Sequence, residues 1–159
     1  MIFLTLGSQK FQFNRLLKLV DKLIEEKIIE EEVFAQIGYS SYIPQNFKYQ
    51  HFVSRDSFIK LITDCDFMIT HGGTGAIITG LNKGKKVIAM PRIHKFKEHV
   101  DDHQLQIVDE FQRLNLISAA QNEEGLIQAI KLIENKNFNK YHSSTMEIIK
   151  AIEVFIETN

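Results

Sequence analysis

Phe67-Met68-Ile69-Thr70 is an apolar run that breaks into His71-Gly72-Gly73-Thr74-Gly75 and resumes as a helical pattern from Ala76 to Asn82. A strand that ends in a glycine-rich turn and at once opens a helix leaves few architectures open. In an open parallel sheet such a turn lies just beyond the carboxyl end of its strand, where ligands sit. Glycines let the backbone come close, and the helix start offers unpaired N–H groups at the positive end of its dipole. The stretch is therefore read as a phosphate cradle, and the ligand as a phosphorylated small molecule, a nucleotide foremost. His71, at the strand end, is placed to donate to a phosphate oxygen. The competing reading is a plain tight connection between strand and helix.

The same alternation runs along the chain. Ile2–Leu6 reads as a strand that ends at Gly7-Ser8-Gln9, and Leu16, Leu17, Val20, Leu23 and Ile24 recur at helical spacing. Strands are expected at Val33–Ile37, Tyr49–Val53, Phe67–Thr70, Val87–Met90 and Leu116–Ala119. Helices are expected around Phe58 to Cys65, at Ala76–Asn82 with Gly84 as the stop, at Val100–Phe111, and around Leu126 to Ile133. A capping box from Ser144 to Glu147 precedes a last helix bearing Ile149, Ile152 and Ile156. Strand–helix alternation at this pitch predicts an α/β, Rossmann-like parallel sheet with helices on both faces. The irregular Arg92 to His99 stretch follows a strand and falls on the ligand side.

With 159 residues, 44% of them hydrophobic, the chain reads as a single domain, 1–159, able to bury a core without a metal or disulfide staple. The one cysteine, Cys65, forms no internal disulfide, suits a reducing compartment and reads as a core residue. A formal net charge of −1 gives no basic field for nucleic acid. The apolar start is too short for a signal peptide, and no run reaches membrane-spanning length.

Glu98-His99-Val100-Asp101-Asp102-His103-Gln104 is a second polar cluster. His99 and His103 stand four apart, one face of a helix, and with Asp102 or Glu98 they could hold a metal. A polar helix start is the second reading and recognition of sugar hydroxyls the first. Lys83, Lys85, Lys86, Arg92, Lys95 and Lys97 form a basic rim, solvated or facing a diphosphate or an anionic membrane surface.

With His71-Gly72-Gly73 and Asp102-His103-Gln104 both present, the chain resembles the carboxyl-terminal, donor-binding half of GT-B glycosyltransferases of the MurG type, glycosyltransferase family 28. It is most similar to the small subunits of split bacterial exopolysaccharide and capsule glycosyltransferases. These are related to the eukaryotic cytosolic subunit that adds the second N-acetylglucosamine to a dolichol-linked acceptor. The likeness runs from Phe3-Leu4-Thr5-Leu6-Gly7-Ser8 through Gln36-Ile37-Gly38 and Gly84-Lys85-Lys86-Val87-Ile88 to Pro91-Arg92 and Gln104. It implies one half of a GT-B fold and a UDP-sugar donor site. His71, Gly72 and Gly73, with Thr74 at the helix start, would hold the diphosphate. Gln104, with Asp102 nearby, would reach the donor sugar. Phe52 and Val53 would lie against the uracil, and Gly7 and Ser8 would line the interdomain cleft. Two positions depart from the pattern. Ala76 stands for a serine or threonine, and Thr79 for a glutamate that binds ribose hydroxyls.

The resemblance implies the UDP-sugar-binding subunit of a two-part inverting glycosyltransferase that acts on a lipid-linked saccharide in polysaccharide biosynthesis. It implies no cofactor and no metal, the UDP-sugar being the donor substrate. A membrane-anchored acceptor-binding subunit would supply the general base, the lipid-linked acceptor and the recruitment of this cytoplasmic chain to the inner membrane face. The alternatives are a non-catalytic enhancer of a glycosyltransferase partner, and a metal-dependent hydrolase using His99, Asp102 and His103.

Overall fold

The computed structural model describes residues 1–142 together with Glu147, Ile149, Lys150, Glu153 and Val154. Six parallel strands form one sheet. They are β1 (Ile2–Thr5), β2 (Val33–Gln36), β3 (Lys48–Gln50), β4 (Phe67–His71), β5 (Lys86–Met90) and β6 (Ser118–Ala119), in the spatial order β3-β2-β1-β4-β5-β6. The helices are α1 (Asn14–Glu25), α2 (Arg55–Asp64), α3 (Thr74–Asn82), α4 (His103–Arg113) and α5 (Glu123–Leu132), with a short 3₁₀ turn at His94–Phe96. This is the expected α/β Rossmann-like sheet. No helix among the described residues is long and apolar enough to cross a membrane.

The central strands are apolar at nearly every position because both of their faces are covered. Successive side chains point to opposite faces, so Ile2 and Leu4 join one core while Phe3 joins the other. Phe67 and Ile69 likewise separate from Met68, and Ile88 and Met90 from Val87 and Ala89. The first core is closed by Leu16, Leu17, Val20 and Leu23 of α1 and by Leu126 and Ile130 of α5. The second is closed by Ile62 of α2, Ile77 and Ile78 of α3, and Ile107, Val108 and Phe111 of α4. Cys65 is buried as expected. Its thiol donates to the Ile62 carbonyl, and burial pushes its pKa up, which keeps it an unreactive core residue.

Several strands differ from the sequence reading by one residue, and four elements differ by more. Helix α3 begins at Thr74, two residues early, so the turn proper is only Gly72-Gly73. Strand β3 covers Lys48–Gln50 and leaves Phe52 and Val53 beyond its end. Strand β6 is only Ser118–Ala119. Helix α4 starts at His103, not Val100. There Asp101 accepts from the His103 N–H and Asp102 from the His94 N–H, which holds the preceding backbone in a turn. Of the last expected helix, Glu147, Ile149, Lys150, Glu153 and Val154 are helical, and Ser144, Ile152 and Ile156 lie outside the described residues.

One parallel crossover lacks a helix. Between β2 and β3 the chain runs as a loop held to the flank of α1 by buried Asp21. That carboxylate accepts from the Tyr42 hydroxyl at 2.7 Å and from the Gln45 and Asn46 N–H groups at 2.8 and 2.7 Å. Burial opposes ionisation of Asp21, but these hydrogen bonds outweigh it and hold the pKa below the ordinary 3.8. The Asp21 stabilisation is therefore complete above pH 3.8 and is lost as pH falls through the lower folded value. Asp21→Ala should cost about 2–3 kcal/mol at pH 7, the scale of hydrogen bonds to a charged group. Urea denaturation at pH 7 and again in strong acid checks this. The deficit should shrink in acid, and an unchanged deficit would place the stabilisation elsewhere.

Candidate donor site at the carboxyl edge of the sheet

From β1 the sheet grows in two directions, toward β2 and β3 on one side and β4 to β6 on the other. A crevice is expected at such a reversal, outside the carboxyl ends of the strands. A cavity of about 790 Å³ lies there. It is bounded by Gly7 and Ser8 after β1, by His71, Gly72 and Gly73 at the end of β4, and by Thr74 and Thr79 on α3. Val53 and Gln104 also line it.

Two glycines are dictated by one imidazole. A Cβ at Gly73 would sit 2.2 Å from His71 Nε2, and a Cβ at Gly7 would sit 2.7 Å from His71 Cε1. Gly7 also has φ +71, a backbone conformation that L side chains rarely adopt. The ring thus fills the space that two side chains would need, with Nε2 turned toward the glycine turn. On the far side of the turn, a Cβ at Gly72 would meet Gln104 Cβ at 2.8 Å.

His71 is buried, and its Nδ1 lies 3.3 Å from the Thr70 hydroxyl oxygen, which donates to the Thr5 carbonyl at 3.0 Å. Burial, with the nearby Arg92 cation, pushes the imidazole pKa down to about 3. The ring is neutral at physiological pH. The N-cap of helix α3 is Gly73, which has no side chain to cap it, and the first turn carries no acidic residue. Its N-terminal N–H groups open on the cavity with His71 beside them, the arrangement that attracts an anion.

Behind this wall stands Arg92, fully buried and unanticipated as such, because the sequence reading counted it among a basic rim. Its Nη2 donates to the Leu6 carbonyl at 2.8 Å and to the Phe11 carbonyl at 3.2 Å, while Nε and Nη1 make no hydrogen bond. Burial lowers its pKa to about 10, and Glu98 opposes the shift, so it stays charged. The rest of the rim is also committed in part. Lys85 donates to the Cys65 carbonyl, and Lys86 donates to the Ile133 and Glu134 carbonyls. Glu98 is itself buried in a two-bond pair with Arg15, at 2.8 and 2.9 Å.

The second polar cluster divides. Gln104 is buried against the turn, and its Oε1 accepts from the Arg92 N–H at 3.0 Å, so only its NH₂ group remains to offer a ligand. Asp102 is absent from the cavity wall, because its carboxylate caps His94 at 2.7 Å. Phe52 is absent too: it packs edge to face on Tyr39, with ring centroids 5.1 Å apart, and remains exposed. The carboxylate between His99 and His103 is Asp101, not Asp102 or Glu98. One ligand atom from each of the three lies within 4.8 Å of the others, so together they could hold a cation. Yet Asp101 Oδ1 accepts from both rings, so the trio is satisfied by its own hydrogen bonds. Gln36 went unassigned in the sequence. Its side chain accepts from the Val53 N–H at 3.1 Å and donates to the Gly7 carbonyl at 3.4 Å, tying two walls together.

The chain matches the glycosyltransferase family 28 C-terminal domain over residues 1–158. It is 28% identical over 125 residues to UDP-N-acetylglucosamine transferase subunit ALG13 of Kluyveromyces lactis. That alignment takes in 78% of this chain and 55% of the relative, so the chain spans about half the length of the curated relative it matches. Among solved structures it is similar to the glycosyltransferase SnogD from Streptomyces nogalater, with a TM-score of 0.58, 21% identity, and coverage of 83% of this chain and 34% of that one. It is also similar to MurG of Acinetobacter baumannii, with a TM-score of 0.52, 16% identity, and coverage of 95% of this chain and 49% of that one. At these identities the likeness to solved structures establishes a shared fold, which is one half of those larger molecules.

The His71 environment has a direct spectroscopic consequence. A pKa of about 3 means that its ring protons should hold constant chemical shifts from pH 8 down to about 5. Because the folded pKa is depressed, stability attached to this histidine is present above the unfolded pKa of 6.5 and drains away as pH falls toward 3. A proton NMR titration, assigned with His71→Gln, checks it. A midpoint near 6.5 would mean an open, solvated ring.

Proposed function

The chain belongs to the glycosyltransferase family 28 C-terminal domain family, and on that premise we propose that it is the UDP-sugar-binding subunit of a two-part inverting glycosyltransferase. Its acceptor is a lipid-linked saccharide in bacterial exopolysaccharide or capsule synthesis. The observation that carries this reading is the uncapped start of α3, opening on a cavity of nucleotide-sugar size beside His71. The matched relative supports the two-part arrangement, since its name makes it a subunit of a UDP-N-acetylglucosamine transferase.

In the proposed complex His71, Gly72, Gly73 and Thr74 hold the diphosphate. His71 meets it as the tautomer protonated on Nε2, with the Thr70 hydroxyl turned from Thr5 to donate to Nδ1. The Gln104 NH₂ group donates to the donor sugar, and Asp102 acts only by fixing the loop in front of it. Val53, whose N–H is already given to Gln36, reads the base through its carbonyl. Gly7 and Ser8 line the cleft toward the acceptor side. A base on the partner deprotonates the acceptor hydroxyl, which attacks the anomeric carbon and inverts it as UDP departs. The charge gathering on the diphosphate is met by the α3 N–H groups and His71, a preorganised site of the oxyanion-hole kind. No metal or other cofactor takes part, and the membrane-anchored partner brings this cytoplasmic chain to the inner membrane face.

A second reading draws support from Thr79, whose hydroxyl is committed to the Gly75 carbonyl at 2.6 Å. A cavity weak in ribose contacts fits a non-catalytic enhancer that stabilises its partner.

Gly73→Val drives a branched side chain into the His71 ring and should abolish UDP binding, with a lower unfolding midpoint but the same α/β fold. Calorimetric titration with UDP, alongside circular dichroism, tests it. Equal affinity in the two forms would remove the ligand from this turn.

Transfer of radiolabelled sugar to membranes separates the two functional readings. This chain alone and the partner alone should be inactive, and the pair should be active even with excess chelator. Full activity of the partner alone supports the enhancer. Loss on chelation, restored by one added metal, returns attention to His99, Asp101 and His103.

A further inference from the structure

We propose that Glu153 is an affinity-setting residue of the same cavity: its carboxylate holds the place of a ligand phosphate at the start of α3, and a diphosphate binds by displacing it. The inference rests on the donor-site reading above.

The Thr74 hydroxyl, first residue of α3, donates to Glu153 Oε1 across 79 positions of sequence. Glu153 is partly buried and lines the cavity beside Thr79 and Arg55. Helices α2 and α5 carry what α3, like α1 and α4, lacks. Helix α2 is capped by the Ser54 side chain and carries Asp56 in its first turn. Helix α5 is capped by Asn122 and carries Glu123 and Glu124. Helix α3 has no side-chain cap and no acid of its own. The negative group that its positive end attracts is supplied from the far end of the chain.

Two physical limits make this carboxylate a competitor. A threonine hydroxyl has one proton to donate, so Thr74 serves either Glu153 or a phosphate oxygen. Two anions at one helix start also repel. A ligand's phosphates must therefore move Glu153 aside, and part of their binding free energy is offset by doing so. A neutral ligand that touches only the far walls meets no such cost. The carboxylate thus weakens phosphates as a class and leaves a nucleoside untouched.

The test is calorimetric titration of the full chain with UDP, inorganic pyrophosphate and uridine, in the wild type, Glu153→Gln and Glu153→Ala. Both variants should bind UDP and pyrophosphate tighter by roughly threefold or more, the scale of one charge at a helix terminus. Uridine affinity should not change. Glu153→Gln keeps the side-chain shape, and circular dichroism identifies a variant that has not folded. UDP binding that is unchanged or weaker in both variants overturns the proposal, because the carboxylate would then be idle or would bind the ligand itself. Absence of UDP binding in every form sinks the donor-site reading instead. Absence of pyrophosphate binding in Glu153→Ala as well sinks this proposal too.

Discussion

The structure depends on the seating of one neutral imidazole between two α-carbons. His71 fits only because Gly7 and Gly73 carry no side chains, and its ring fills the space between the turns that follow β1 and β4. The same ring borders the crevice beside the start of α3, and Gln104 closes on Gly72 from the far side. The ring belongs at once to the packing of the sheet and to the wall of the cavity. Large changes at 7, 71 or 73 therefore act on packing and on the shape of the cavity together.

A buried ionic framework supports that wall from behind. Arg92 joins the β1–α1 loop to the segment after β5 through the Leu6 and Phe11 carbonyls. Its own N–H fixes Gln104 Oε1, and Glu98 with Arg15 fixes the turn that follows. A guanidinium with two unpartnered nitrogens is costly to bury. It keeps its charge close behind His71, which helps to hold the ring neutral. The segment looked irregular in sequence but is tied at each end by charge-assisted hydrogen bonds, the stronger kind.

The strands were legible because burial on both faces writes an unbroken apolar run, as in Phe67–Thr70, and the glycine turn was legible because a junction packed this closely between His71 and Gln104 leaves no room for side chains. What escaped was governed by side-chain direction, which one-dimensional spacing does not carry. Asp101 and Asp102 are chemically alike and adjacent, yet one faces two histidines and the other turns back to His94. Arg92 and Lys97 read alike as surface cations until tertiary packing buries the first. The resemblance placed Phe52 and Val53 together against the uracil, while the Phe52 ring packs on Tyr39. The tie between Thr74 and Glu153 joins positions too far apart for any local pattern to register.

The two outermost strands carry a consequence for assembly. Strand β3 has three residues and β6 has two, so each border of the sheet offers only a few backbone groups to another chain. Borders this short resist the edge-to-edge pairing by which sheets aggregate or recruit an extra strand. A partner is then left with side chains to grip: the flanks of the helices and the loops around the mouth of the crevice. Association through those surfaces is set by shape and charge, not by backbone pairing, and so can be selective for one neighbour.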